Sequence, residues 1–220
     1  MNCLLIGGGD YSFLSHEVVQ STKKEHPVFL FIGLASNYSD AYYDKIKKIY
    51  QNLGCKCIYL KKKNILNNPQ IVLDKISQAD IIYIGGGDSI KLVEEIKKYH
   101  LNDLLYDAYL RGVLLVGVSA GAILLSKEGF SDSYILRGEK DSYDFVRGLS
   151  FIDITICPHY EKDTLKRLQL KEKLRDGNCT VYCLENNTAL WFHDKKIEVI
   201  KEDNSVYKCF YNKTFIEEVL

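Results

Sequence analysis

The stretch Val113-Leu-Leu-Val-Gly-Val-Ser-Ala-Gly-Ala122 decides the fold of this chain. Its first five residues are apolar or small and predict a buried strand of a parallel sheet. Residues 117–121 then form a G-x-S-x-G sequence that leads into an apolar, helix-permissive segment. This arrangement is typical of a nucleophile elbow, whose sharp turn requires glycine on both sides of the serine. Ser119 is therefore the candidate nucleophile, and the alternative interpretation is a serine that only caps the helix.

Backbone N–H groups close to Ser119 are candidates for an oxyanion hole. The N–H groups of the first helical turn, beginning with Ala120, lie directly below the serine in such an elbow. A second glycine-rich loop, Gly85-Gly86-Gly87-Asp88, also follows a strand and opens a helix. It resembles a phosphate-binding loop but matches neither G-x-G-x-x-G nor a Walker A sequence. We therefore expect Gly86 or Gly87 to supply a second oxyanion donor.

The composition is that of one soluble globular domain over residues 1–220, with 46% hydrophobic and 26% charged residues. The 29 basic and 29 acidic side chains balance, so nothing points to nucleic acid or to an anionic membrane as a partner. The N-terminus lacks a basic region, and no apolar run has the length of a membrane span. We therefore expect a cytoplasmic protein. Its oligomeric state stays open, with a homodimer among the options.

Cysteine and histidine spacing gives no sign of disulfides or metal sites. The seven cysteines include no C-x-x-C pair, and their odd number is typical of reduced thiols. The five histidines form neither H-x-x-x-H nor H-E-x-x-H. We therefore expect neither a metal nor another cofactor.

Strands and helices alternate up to the elbow. Apolar runs predict strands at residues 3–7, 27–35, 55–60 and 80–84, and helical spacing marks the segments between them. Such alternation predicts an α/β protein with a mainly parallel sheet covered on both faces, a three-layer α/β/α architecture.

The pattern loosens after the elbow. Residues 127–144 are polar and predict a surface loop near the site, and a strand follows at 151–157. Residues 163–175 predict an amphipathic helix. Its inward side chains are expected to be Leu165, Leu168, Leu170 and Leu174. Four further short strands make the C-terminal part β-rich.

A nucleophilic serine needs a base, and the base needs an orienting group. His159 follows a predicted strand, so we expect it at the same carboxyl edge of the sheet as Ser119. The other histidines lie near helix ends or inside a hairpin strand and are weaker choices. Glu185 follows the strand at 180–184 and is the candidate acid, with Asp132 in the polar loop as its main rival.

Four segments in a fixed order resemble a known family: I-G-G-G-D at 84–88, G-V-S-A-G-A at 117–122, P-H-Y at 158–160 and E-N-N-T-A-L at 185–190. They are similar to the serine peptidases of the peptidase E (aspartyl dipeptidase) and cyanophycinase family. The resemblance extends from the first strand to about residue 194.

This resemblance implies a fold like that of the class I glutamine amidotransferases and a Ser–His–Glu triad that cleaves small peptides. It assigns the triad to Ser119, His159 and Glu185. Asp-X dipeptides are one implied substrate, and their carboxylate requires a cation. Arg147, Arg167 and Arg175 are available, and Arg167 is the candidate.

Two residues bear on the substrate that this resemblance implies. Asp88 stands where asparagine is expected in many relatives, which adds negative charge near the site. Serine rather than cysteine in the elbow argues against ammonia release from glutamine. Two other functions stay open: an esterase of the α/β-hydrolase type, whose acid precedes its histidine, and a catalytically silent binding module.

Overall fold

The computed structural model describes residues 2–37, 39–161, 164–175, 177, 179–193 and 196–220, and all their side chains except those of Asn67 and Thr164. The helices are α1 Ser15–Ser21, α2 Ser39–Asn52, α3 Lys62–Asn67, α4 Pro69–Ser77, α5 Ser89–Lys98, α6 Leu101–Leu110, α7 Ala120–Leu125, α8 Ser133–Leu136 and α9 Thr164–Arg175. The strands are β1 Asn2–Ile6, β2 Val28–Ile32, β3 Lys56–Leu60, β4 Ile81–Ile84, β5 Leu114–Val118, β6 Ser126–Ser131, β7 Asp144–Arg147, β8 Ile152–Pro158, β9 Val181–Leu184, β10 Thr188–His193, β11 Lys196–Lys201, β12 Val206–Asn212 and β13 Thr214–Val219. Within the described ranges, none of the helices combines the length and apolar character needed to cross a membrane.

The first sheet has seven strands in the order β11-β10-β1-β5-β4-β2-β3. Strands β1, β5, β4, β2 and β3 pair in parallel, whereas β10 and β11 are antiparallel additions at one edge. The elbow strand β5 lies between β1 and β4, with Val118 opposite Ile6 and Gly117 opposite Ile84. The glycine-rich loops after β1 and β4 therefore flank Ser119 at the carboxyl edge of the sheet.

Helices cover both faces of this sheet. Alternate residues of β2 point to opposite sides, so Phe29 and Phe31 pack with α1 and α2, whereas Leu30 and Ile32 pack with α4, α5, α6 and α7. The strands β1, β2, β4 and β5 are almost completely buried, in keeping with their unbroken apolar sequences. The prediction of an α/β protein is confirmed.

A second sheet, in the order β13-β12-β9-β8-β6-β7, was not predicted as a separate unit. The prediction of a surface loop over residues 127–144 is wrong in part, because β6 runs to Ser131 and pairs with both β7 and β8. Phe130 is the one large apolar side chain in β6, so hydrophobic alternation gave little signal there.

Helix α9 packs on the second sheet with a different face from the predicted one. Leu170 and Leu174 are buried as expected, but Leu165 and Leu168 are 50% and 57% exposed. Lys166 lies inside instead, at 5% exposure, because residues four apart share a helix face. Residue 163, the first of the predicted helix, lies outside the described residues.

Candidate active site

The elbow at Ser119 is a strained turn that only glycine neighbours permit. The backbone of Ser119 has φ 52° and ψ −109°, a conformation that non-glycine residues rarely adopt. A Cβ atom on Gly117 would lie 2.5 Å from the carbonyl oxygen of Gly121, and one on Gly121 would lie 2.1 Å from that of Ile84. The predicted need for both glycines is confirmed. The turn leaves the Ser119 side chain partly exposed above the sheet edge.

His159 meets Ser119 from the second sheet, so the expectation that both residues lie at the carboxyl edge of the same sheet is wrong. It directly follows β8, and its φ of 149° is also unusual for a residue with a side chain. Nε2 of His159 lies 2.7 Å from Oγ of Ser119, although the residues are 40 positions apart. The structure therefore places these two predicted residues within hydrogen-bond distance, the geometry of a nucleophile and its base.

Asn186, and not Glu185, lies against the other ring nitrogen of His159. The amide Oδ1 of Asn186 is 2.9 Å from Nδ1 of His159. The carboxylate of Glu185 points away and accepts a hydrogen bond from the N–H of Ser205 at 2.7 Å. The expected contact of Glu185 with His159 is therefore absent, and Asn186, in the turn between β9 and β10, takes that position.

Two hydrogen bonds hold the backbone of Asn186 on either side. Its N–H donates to Oε1 of Glu161 at 3.3 Å, and its carbonyl oxygen accepts from Nδ2 of Asn204 at 2.8 Å. With Oδ1 of Asn186 as acceptor, Nδ1 of His159 carries the proton and Nε2 is left to accept from the hydroxyl of Ser119. This tautomer is the one that a general base requires.

The surroundings of His159 favour its neutral form. Burial and the nearby ammonium of Lys166 hold the pKa of His159 below its ordinary value of 6.5. The hydrogen bond with Asn186 and the charges of Asp132 and Glu161 act in the opposite direction but do not overcome them. Asp132 therefore influences His159 through its charge, while the Nδ1 position belongs to Asn186.

The glycine loops approach the pair closely. A Cβ atom on Gly8, whose φ is +139°, would lie 2.1 Å from Cε1 of His159. A Cβ atom on Gly86 would lie 3.3 Å from Cβ of Ser119. Gly86 and Gly87 line the same cavity as Ser119, whereas Ala120 is buried below it as the first residue of α7.

Asp88 is occupied at the start of helix α5. Its carboxylate accepts hydrogen bonds from the N–H groups of Ile90 at 2.9 Å and Lys91 at 3.2 Å, which is the geometry of a helix N-cap. Asp88 therefore caps α5 and is not among the described residues that line the cavity, whereas its neighbour Gly87 is.

A cavity of about 420 Å³ opens beside Ser119 and His159. Its wall includes Tyr11 and Tyr42, whose ring centroids are 5.1 Å apart. Lys45 is the only lysine or arginine among the described lining residues, and its Nζ lies 5.7 Å from the centroid of the Tyr11 ring. Lys45 is therefore the candidate cation for an anionic group bound in this cavity.

The arginines considered from the sequence lie elsewhere. Arg167 forms a salt bridge with Glu217 of β13 and is not part of the cavity wall, so its expected role as substrate cation is not supported by its position. Arg147 and Arg175, at the ends of β7 and α9, are exposed and also absent from the wall. Among the described residues, no group of three or more His, Cys, Asp or Glu side chains could hold a metal ion.

Sequence reasoning missed three site residues. Asn186 is adjacent in sequence to Glu185, the predicted acid, and only the side-chain directions in the structure show which of the two faces His159. Gly8 carried a signal in its three-glycine loop after a strand, as the Gly85-Gly86-Gly87 loop did. Lys45 lies on a predicted helix among other lysines, where nothing in the sequence distinguishes it.

The chain belongs to peptidase family S51, whose family model matches residues 3–200. It is 28% identical over 197 residues to the uncharacterized peptidase YgaJ of Bacillus subtilis, covering 86% of this chain and 82% of that protein. It is 25% identical over 227 aligned positions to peptidase E of Shewanella putrefaciens, covering 95% and 91% of the two chains. Its fold matches the crystal structure of a peptidase from an acI-B1 Actinobacterium, with a TM-score of 0.74, 21% identity and coverage of 100% and 93%. The predicted family is confirmed, and so is the prediction that the protein is a peptidase.

Proposed function

We propose that this protein is a serine-type peptidase of short peptides, with Ser119 as nucleophile and His159 as general base. The observation that carries the proposal is the 2.7 Å separation of Ser119 Oγ and His159 Nε2 beside a cavity. The strained elbow supports it as well, because such strain persists where the surrounding structure enforces it and clusters at reactive sites. In the same proposal, the fold is the three-layer, amidotransferase-like architecture with a mainly parallel first sheet.

The reaction would follow the acyl-transfer sequence of a serine hydrolase. The hydroxyl of Ser119 attacks the peptide carbonyl carbon while Nε2 of His159 takes its proton. The imidazolium then returns that proton to the leaving amine, and a water molecule, activated in the same way, releases the acyl group from the serine. Asn186 accepts a hydrogen bond from Nδ1–H of His159 and so orients the ring. It thereby has the positioning role that the sequence assigned to Glu185.

Backbone donors beside Ser119 are proposed to stabilise the tetrahedral intermediate. Gly86 and Gly87 enter the cavity wall from the loop after β4, and Ala120 begins α7 directly after the nucleophile. N–H groups fixed by a strand end and a helix start need little reorganisation when negative charge develops on the carbonyl oxygen. These three residues are the proposed oxyanion hole.

The cavity favours small peptides with an acidic group, including Asp-X dipeptides. Its volume of about 420 Å³ is within the range of small-molecule sites. Lys45 supplies a positive charge to a substrate carboxylate, and Tyr11 and Tyr42 supply an apolar wall.

The test is a panel of dipeptides with acidic, neutral or basic N-terminal residues, together with matched esters. Ser119→Ala should reduce peptide hydrolysis by several orders of magnitude. The exposed Ser77→Ala is the matched control and should keep full activity. Lys45→Met should raise KM for acidic peptides by about tenfold, which is the effect of losing ~1.4 kcal/mol of binding, and leave neutral peptides unchanged.

Two outcomes would replace the proposal. Hydrolysis of esters without peptides would favour the esterase, and no hydrolysis with tight binding of peptides would favour the silent binding module. Undiminished peptide hydrolysis by Ser119→Ala would remove the serine from the mechanism altogether.

A further inference from the structure

Lys166 is a buried lysine directly behind the candidate active site. It lies on α9, is 5% exposed and takes an inward position that an apolar residue would normally hold. Burying an ammonium group costs free energy unless it is hydrogen-bonded. Its Nζ donates to the carbonyl oxygen of Pro158 and lies 5.2 Å from the centroid of the Tyr143 ring. The hydrogen bond to Pro158 therefore ties the buried ammonium to the backbone next to His159.

The bond to Pro158 acts on His159 through the backbone. The carbonyl of Pro158 and the N–H of His159 belong to one rigid peptide unit. His159 has φ 149°, a strained conformation that persists only where neighbouring groups enforce it. The ammonium of Lys166 fixes this peptide unit from the interior.

Lys166 is also a positive charge near a neutral base. Besides Lys166 on α9, the groups that act on His159 are Asn186 after β9, Asp132 before α8 and Glu161 two residues further along the chain. The two carboxylates favour protonation of the ring, and the lysine opposes it. Since Asn186 is uncharged, no carboxylate at Nδ1 counteracts the lysine.

We propose that Lys166 is a positioning residue for His159, whose buried ammonium fixes the Pro158–His159 peptide and with it the angle at which the imidazole meets Ser119. This inference rests on the proposed function for its catalytic meaning. The effect of Lys166 on the His159 imidazole can be measured without any substrate.

The experiment is an NMR titration of His159 in the full-length protein, together with kcat and KM for a dipeptide. Lys166→Met keeps most of the aliphatic stem and removes the charge. We expect the midpoint of the His159 titration to rise by roughly one pH unit. We expect kcat to fall by about 10- to 100-fold with little change in KM, because a displaced ring affects the reaction more than binding.

Two further variants separate charge from helix stability. Lys166→Arg keeps the charge and should leave the midpoint close to that of the unmodified protein. Lys171→Met changes an exposed lysine of the same helix and should alter neither midpoint nor kcat. If Lys166→Met does not fold, Lys166→Gln, which suits a polar buried position, replaces it with the same expected rise.

An unshifted midpoint in a folded, uncharged variant at position 166 overturns the inference, and so does an equal shift in Lys166→Arg. Failure of the proposed function gives a different pattern. In that case peptide hydrolysis survives Ser119→Ala, while the titration of His159 still responds to Lys166.

Discussion

The side-chain oxygen of Asn186 lies 2.9 Å from Nδ1 of His159, at the position where a serine peptidase of the expected type holds a carboxylate. A neutral amide can orient the ring and select its tautomer, but it stabilises the imidazolium less than a carboxylate does. The lowered pKa of His159 is in keeping with such a site, in which burial and Lys166 favour the neutral ring. The predictions below follow from this relationship and from the contacts around it.

Asn186→Asp should convert the site into a charged triad of nearly identical shape. The new carboxylate should raise the pKa of His159 by about one unit or more and increase kcat by about tenfold, because it stabilises the imidazolium. Asn186→Leu, which removes the acceptor, should lower kcat by roughly 100-fold. Steady-state kinetics over a pH series measures both effects. A slower Asp variant with an unmoved pH midpoint would show that the amide does not hold this position in solution.

Glu185→Gln should leave kcat within about threefold of the unmodified protein. The carboxylate of Glu185 accepts from the N–H of Ser205, and the glutamine amide oxygen can accept the same bond. Glu185→Leu should instead destabilise the fold by about 1 to 3 kcal/mol, since that N–H loses its acceptor. Urea unfolding and kinetics of both variants separate stability from chemistry. A loss of 100-fold or more in Glu185→Gln would restore Glu185 as the triad acid.

The pH profile should reflect the lowered pKa of His159. The imidazole accepts a proton from Ser119 only while it is neutral, and it is neutral above its pKa. Since burial and Lys166 lower that pKa from 6.5, kcat/KM should rise with a midpoint below pH 6.5 and approach its plateau about one to two pH units above that midpoint. Asp132→Asn removes a charge that favours the imidazolium, so it should move the midpoint further down. A midpoint above 6.5 would contradict the structure.

Gly8→Ala should disturb the contact between Ser119 and His159, although Gly8 is far from both residues along the chain. The added methyl group would lie 2.1 Å from Cε1 of His159, at a φ of +139° that also strains alanine. We expect kcat to fall by about 100-fold through displacement of the ring. Gly138→Ala is the matched control, because it has a φ of +68° but no atom within 4 Å of the new methyl group. It should lose about 1 kcal/mol of stability and keep its activity; an equal loss of activity in both variants would mean that backbone strain alone is responsible.

Much of the site could be predicted from the sequence because its requirements are local. The glycines around Ser119 are needed by the turn itself. His159 could be chosen because it follows a strand, but that strand, β8, belongs to the second sheet and not to the sheet that carries Ser119. The choice between Glu185 and Asn186 could not be made, since it depends on which of two adjacent side chains faces the histidine. Lys45 reaches the cavity only through the packing of α2 beside the first sheet, which no local pattern encodes.

The first sheet was predictable in the same way, and the second was not. Fully apolar runs such as Leu114–Val118 have few alternatives to a buried strand. Strand β6, with the sequence S-K-E-G-F-S, resembles a loop in composition and becomes a strand only because β7 and β8 pair with it. The inward position of Lys166 was likewise hidden, since a leucine-rich helix predicts leucines on its buried face.

Fluorophosphonate labelling followed by peptide mass spectrometry measures whether Ser119 is a nucleophile activated by His159. The reagent modifies activated serines and needs no knowledge of the natural substrate. We expect one adduct, on Ser119, whose formation is slowed by at least 100-fold in His159→Gln and abolished in Ser119→Ala. An unlabelled Ser119 in the folded protein, or labelling that proceeds equally well without His159, would contradict it.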